Sequence, residues 1–117
     1  MSDDTCHAFD WAALDQMEAD FGGDIFQRLL EACVSDTTTR VEKLSQAVDS
    51  NDLPTVRAIA HQMRGILAQF GEKNASETAR LACEVSEAEL CKVALELVAQ
   101  AGRSIEILGQ RYPATRD

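Results

Sequence analysis

The sequence predicts an all-α fold: an antiparallel up-down-up-down four-helix bundle with a short N-terminal cap helix. Three observations carry this. Apolar residues recur at three- and four-residue spacing through four segments, the period of a helix with one buried stripe. The joints between segments are short, which returns each helix beside the last. Alternating β-branched runs and Asn-Gly or Asp-Gly turns, the marks of strands and hairpins, are missing.

The elements follow in order. Residues 1–9 read as polar and loosely ordered. Asp10 is placed to cap a helix over Trp11 to Ala19, whose Trp11, Leu14 and Met17 lid one end of a core. Asp20-Phe21-Gly22-Gly23 breaks it. Asp24 is read as the cap of a long helix to about Asp49. Its stripe is Phe26, Leu30, Cys33, Thr37, Val41, Leu44 and Val48, and it keeps phase across the weak helix formers of Ser35 to Thr39. Ser50-Asn51-Asp52 is long enough only for a turn.

The third helix spans Asp52 to Gly71. Asp52 suits the cap, Pro54 the first turn, and Gly71 the left-handed residue that closes a helix. Leu53, Val56, Ile59, Ala60, Met63, Ile66, Leu67 and Phe70 fall within an arc of roughly 140°. After Glu72 and Lys73, a helix starting at Asn74 or Ser76 runs through Val85. Its inner face is Ala75, Thr78 or Ala79, Ala82 and Val85. Ser86 suits the cap of a last helix over Glu87 to Arg111, with Leu90, Ala94, Leu97, Ala101, Ile105, Leu108 and Tyr112 inward. Gly102 within it suggests close packing or a slight bend. Pro113 stops the helix, and residues 113–117 fray.

With 117 residues, the chain is expected to be a single domain over 1–117 that buries a core without staples. Twenty acidic and 11 basic side chains leave a net charge of −9. Nucleic acid is excluded as a partner, because neutralising phosphates needs a basic surface. No apolar run approaches a membrane span. The acidic N-terminus lacks the apolar core of a signal peptide, and the four cysteines show no framework spacing. The expectation is a cytoplasmic monomer with reduced thiols. Met1 and the fraying ends suggest a free-standing protein.

One histidine stands out. His61 lies roughly 160° around the third helix from the buried Met63, so it points at solvent. Arg57 and Arg64, four before and three after, are its neighbours on the surface. Gly65, four after, removes a side chain that would crowd it, although an interior glycine costs about 1 kcal/mol against alanine. Ala58 and Ala68 keep the surrounding surface low. An anion placed on this imidazole would meet two guanidinium groups. The plainer reading is an ordinary surface histidine. His7 beside Cys6 has no second pair of ligands, and no metal site is expected.

His61, Arg64, Gly65 and Gly71, with Ala60 and Met63, resemble the His-x-x-Lys-Gly-x-x-x-x-x-Gly signature of histidine-containing phosphotransfer (HPt) domains. Arg64 stands where lysine is usual, and Gln62 and Ile66 where small or hydroxylated residues are common. The resemblance covers roughly residues 10 to 110. It implies a phosphorelay intermediate: His61 accepts a phosphoryl group, through Nε2, from the aspartate of a response-regulator receiver or a hybrid kinase receiver, and passes it to another receiver. Arg64 and Arg57 would stabilise the phosphoryl group; Gly65 and Ala68 would give it access. The resemblance implies no cofactor in this chain, with Mg2+ held only by the partner receiver. The chain has no phosphate-cradling loop and so is not expected to be an ATP-dependent kinase. The alternative is a four-helix adaptor that binds a signalling partner without being phosphorylated.

Overall fold

A computed structural model describes residues 9–113. These hold five helices and no strand: α1 (Trp11–Phe21), α2 (Gly23–Asp49), α3 (Leu53–Gln69), α4 (Lys73–Glu84) and α5 (Glu87–Arg111). The last four close into a ring. α2 packs on α3, α3 on α4, α4 on α5, and α5 back on α2, while α1 lies against α2.

Most residues of the expected stripes are buried, while Trp11, Met17, Val41, Val48, Val85, Ile105 and Tyr112 are half-buried and Ala47 and Ser104 are buried in addition. Leu44, Val56, Met63, Leu90 and Leu97 are sealed in the main core. The α4 contribution is small: Ala75, Ala79 and Ala82 have no exposed surface. Side chains this short let its neighbours approach closely. A second cluster at one end joins Phe9, Leu14, Phe26, Leu30 and Leu108, with Trp11 and Tyr112 at its edge.

The boundaries differ from expectation in instructive ways. α1 continues to Phe21 and ends at Gly22, whose φ of +87° suits glycine. Gly22, not Asp24, holds the N-cap of α2. Asp24 sits in the first turn, where its charge faces the positive end of the helix dipole. Ser86 occupies the N-cap of α5, but its hydroxyl makes no capping bond. A Cβ built on Gly102 would meet nothing within 4 Å, so close packing does not explain that residue.

The largest difference concerns the joint between α3 and α4. Glu72 is not a connector but the N-cap of α4, which begins at Lys73. Its carboxylate is only 2% exposed. One oxygen accepts from the Ala75 backbone N–H at 3.1 Å, and the other accepts from the Ser104 hydroxyl on α5. Phe9, expected in the loosely ordered N-terminal stretch, forms an isolated bridge with Glu72 and is buried. The Asp10 N–H donates to the Gly71 carbonyl oxygen at 2.9 Å, which draws the start of α1 onto the end of α3.

Candidate functional site

The rotation of α3 decides what its outer face presents. At its start, Asp52 accepts from the Thr55 backbone N–H at 3.4 Å and from the Thr55 hydroxyl at 2.7 Å. At its end, Gly71 takes a φ of +73° while Glu72 N–H returns to the Leu67 carbonyl oxygen at 2.9 Å. Between these stops Val56, Ile59, Ala60, Met63 and Leu67 are buried. Leu53, Ile66 and Phe70, also expected inside, are half-buried at the edges of the stripe.

With that face pinned inward, His61 is exposed, and so are Ala58, Arg64, Gly65 and Ala68. A Cβ at position 65 would meet nothing within 4 Å. The bundle's own packing therefore does not require glycine there, and the clearance faces outward. The Arg64 guanidinium makes no hydrogen bond or ion pair among the described residues, although its charge is felt by Glu77 on α4. Glu77 is held below the usual carboxylate range, first by its hydrogen bond from Arg80, and also by the charges of Arg80 and Arg64.

Arg57 is engaged elsewhere than expected. Its Nη2 donates to the Val85 carbonyl oxygen at 2.7 Å and its Nη1 to that of Ala82 at 3.3 Å. The last carbonyls of a helix lack intrahelical partners and sit at its negative end. A long, half-buried guanidinium one helix away satisfies them. Arg57, expected with Arg64 to stabilise a phosphoryl group on His61, is bonded to the end of α4 and fastens it to α3; the Arg64 guanidinium has no such bond among the described residues.

Sequence reasoning missed Glu72, because glutamate is not a preferred N-cap and its second partner, Ser104, lies 32 residues away. It also missed a latch at the far end of the chain. Asp15 accepts from the Tyr112 hydroxyl at 2.6 Å and from Arg111 Nη2 at 2.8 Å, while the Arg111 guanidinium lies over the Trp11 ring at 4.9 Å. A cleft of about 890 Å³ beside this latch, lined by Asp15, Asp24, Arg28 and Arg111, draws on no residue of α3. His61 thus stands on an open helix face suited to a large partner, and not in that cleft.

Among the described residues, no group of three or more His, Cys, Asp or Glu could hold a metal ion. The Cys6 and His7 pair lies outside them. None of the described helices is long and apolar enough to cross a membrane. A family model described as Hpt domain matches residues 28–109, a span that includes His61, Arg64, Gly65 and Gly71. No curated protein and no solved structure matches the chain.

Proposed function

Because this chain belongs to the Hpt domain family, we propose that it is a phosphorelay intermediate whose phosphoryl acceptor is His61. A phosphotransfer role in two-component signalling, as a carrier module and not a kinase, comes with the family. The finer assignment rests on one observation: His61 is exposed on α3 with the unengaged Arg64 on one side and the open Gly65 on the other.

In the transfer, the lone pair of one imidazole nitrogen, Nε2, attacks the phosphorus of an aspartyl phosphate on a receiver domain. The N–P bond forms as the P–O bond to the aspartate breaks, and the carboxylate leaves. Transfer to the next receiver reverses these steps. Phosphoryl transfer asks mainly for positioning and charge stabilisation. Arg64 supplies fork-shaped donors to the phosphoryl oxygens. Gly65 and Ala68 leave room for the receiver's acidic pocket, which holds the Mg2+; this chain needs no cofactor.

Docking uses apolar area. Phe21, Ile25 and Leu29, four residues apart along the end of α1 and the start of α2, are 50%, 51% and 38% exposed. Exposed apolar side chains such as these are what we assign to receiver docking. The cytoplasm, where receivers work, is the proposed location, and a monomer the proposed state.

A receiver carrying labelled phosphoryl groups should pass label to the wild-type chain and leave His61→Gln blank. Equal labelling of His61→Gln would end the assignment. A chain that binds a receiver normally but is never labelled would instead be the adaptor.

A further inference from the structure

The side of α3 that carries Arg64 adjoins α4, where acids and bases alternate. The Ser76 hydroxyl donates to the Arg64 carbonyl oxygen at 3.4 Å, which seats the first turn of α4 beside Arg64. Glu77 is the next residue; Arg80 and Glu84 follow at helical spacing. Arg80 spans both acids. Its Nε donates to Glu77 Oε2 at 3.0 Å, its Nη2 donates to the same oxygen, and its Nη1 donates to Glu84 Oε1 at 2.8 Å. Arg64 and Glu77 are near enough for the arginine charge to favour the carboxylate, yet they do not pair.

A carboxylate this close to Arg64 is a competitor. Released from Arg80, Glu77 would turn to Arg64, the other cation whose charge already acts on it. A phosphoryl group arriving at His61 would then meet a neutralised pair and a second negative charge.

We propose that Arg80 is a positioning residue: by holding Glu77 along α4 it keeps that carboxylate off Arg64 and leaves the guanidinium open to the phosphoryl group. This rests on the assignment of His61 above. The arrangement places the controlling residue on a different helix from the acceptor, where it touches neither His61 nor the incoming group.

The test compares wild type, Arg80→Gln, and the double variant Arg80→Gln with Glu77→Gln. Two quantities are followed: the nuclear magnetic resonance signal of the Arg64 Nε–H, and the rate of His61 phosphorylation by phosphoramidate, a small donor that needs no docked partner. Arg80→Gln should shift the Arg64 signal and slow phosphorylation about two- to five-fold, the size expected of an exposed ion pair. Adding Glu77→Gln should restore both. In an Arg64→Gln background, Arg80→Gln should have no effect on the rate. A purely structural role for Arg80 would not be rescued by removing a second charge.

The proposal is overturned if Arg80→Gln leaves the Arg64 signal and the rate unchanged, or if Glu77→Gln fails to restore them. Failure of the His61 assignment looks different: no variant is labelled by any donor, or His61→Gln is labelled as well as wild type. That result removes the purpose given to Arg80 even where the Arg64 signal still responds.

Discussion

Arg57 and Val85, 28 positions apart, are joined by a 2.7 Å hydrogen bond from the arginine Nη2 to the valine carbonyl oxygen. The bond fastens the helix that carries His61 to the end of its neighbour. It also separates two arginines that look alike in sequence: Arg57 is bonded to α4, whereas the Arg64 guanidinium has no hydrogen bond or ion pair among the described residues.

Arg57→Ala should therefore act on stability. Loss of two charge-assisted bonds to half-buried carbonyls should lower the unfolding free energy by about 1–2 kcal/mol. The measurement is urea denaturation beside the phosphotransfer rate. Arg64→Ala should give the opposite pattern, with stability near wild type and slower transfer. An Arg57→Ala chain of full stability and lost transfer would return Arg57 to the site.

Two glycines of α3 and its cap should respond in opposite directions to alanine. At position 65 a Cβ meets nothing, so Gly65→Ala should raise stability by up to about 1 kcal/mol while slowing transfer from a receiver. At position 71 the φ is +73° and a Cβ would lie 3.1 Å from Asp10 Cβ. Gly71→Ala should cost about 1–2 kcal/mol, the penalty of a left-handed conformation, and more where Asp10 cannot yield. Thermal melts of the two variants decide the matter: a destabilised Gly65→Ala contradicts the reading of an outward clearance.

Glu72 and Ser104 should be coupled. Glu72→Ala removes the cap of α4 and the acceptor of the Ser104 hydroxyl, a loss of about 1–3 kcal/mol. Ser104→Ala should cost less, since the α4 cap remains. Because the two side chains touch, the double variant should depart from the sum by about 0.5 kcal/mol or more. Strict additivity in denaturant midpoints would show that the contact carries no energy.

The latch over Trp11 should open at both ends of the pH scale. The Tyr112 hydrogen bond, and then Arg111, hold Asp15 below the usual carboxylate range. A lowered carboxylate stabilises the fold above its unfolded value, near pH ~4, and loses that contribution as pH falls through the lower folded value. Burial first, then the bond to Asp15, pushes Tyr112 up. Its contribution is present below about pH 10 and fades as pH rises through the raised folded value. Trp11 is the sole tryptophan, so its fluorescence reports the latch directly. Asp15→Asn should abolish the acid transition of that emission, and an unchanged transition would assign it to other groups.

How far the sequence reaches depends on the distance over which each interaction acts. Asp10 and Asp52 cap their helices as expected, because a cap bond spans three residues. The stripe of α3 keeps Val56, Ile59, Ala60, Met63 and Leu67 inside, so the outward direction of His61 follows from spacing alone. The partner of Arg57 does not, since no local pattern distinguishes a guanidinium that finds a carbonyl on α4 from one that stays in solvent. Phe9 and Glu72 read locally as tail and connector for the same reason: their burial needs α1, α4 and α5 already assembled.

The amino-acid sequence by itself determined the five helices, the buried stripes and an exposed His61 followed by Arg64 and Gly65, all consequences of short-range periodicity and capping. Only the tertiary structure decided which of the two arginines is bonded to another helix and which carboxylate is sealed inside. Those outcomes arise where side chains from different helices compete for the same partners, and that competition exists only once the helices have packed.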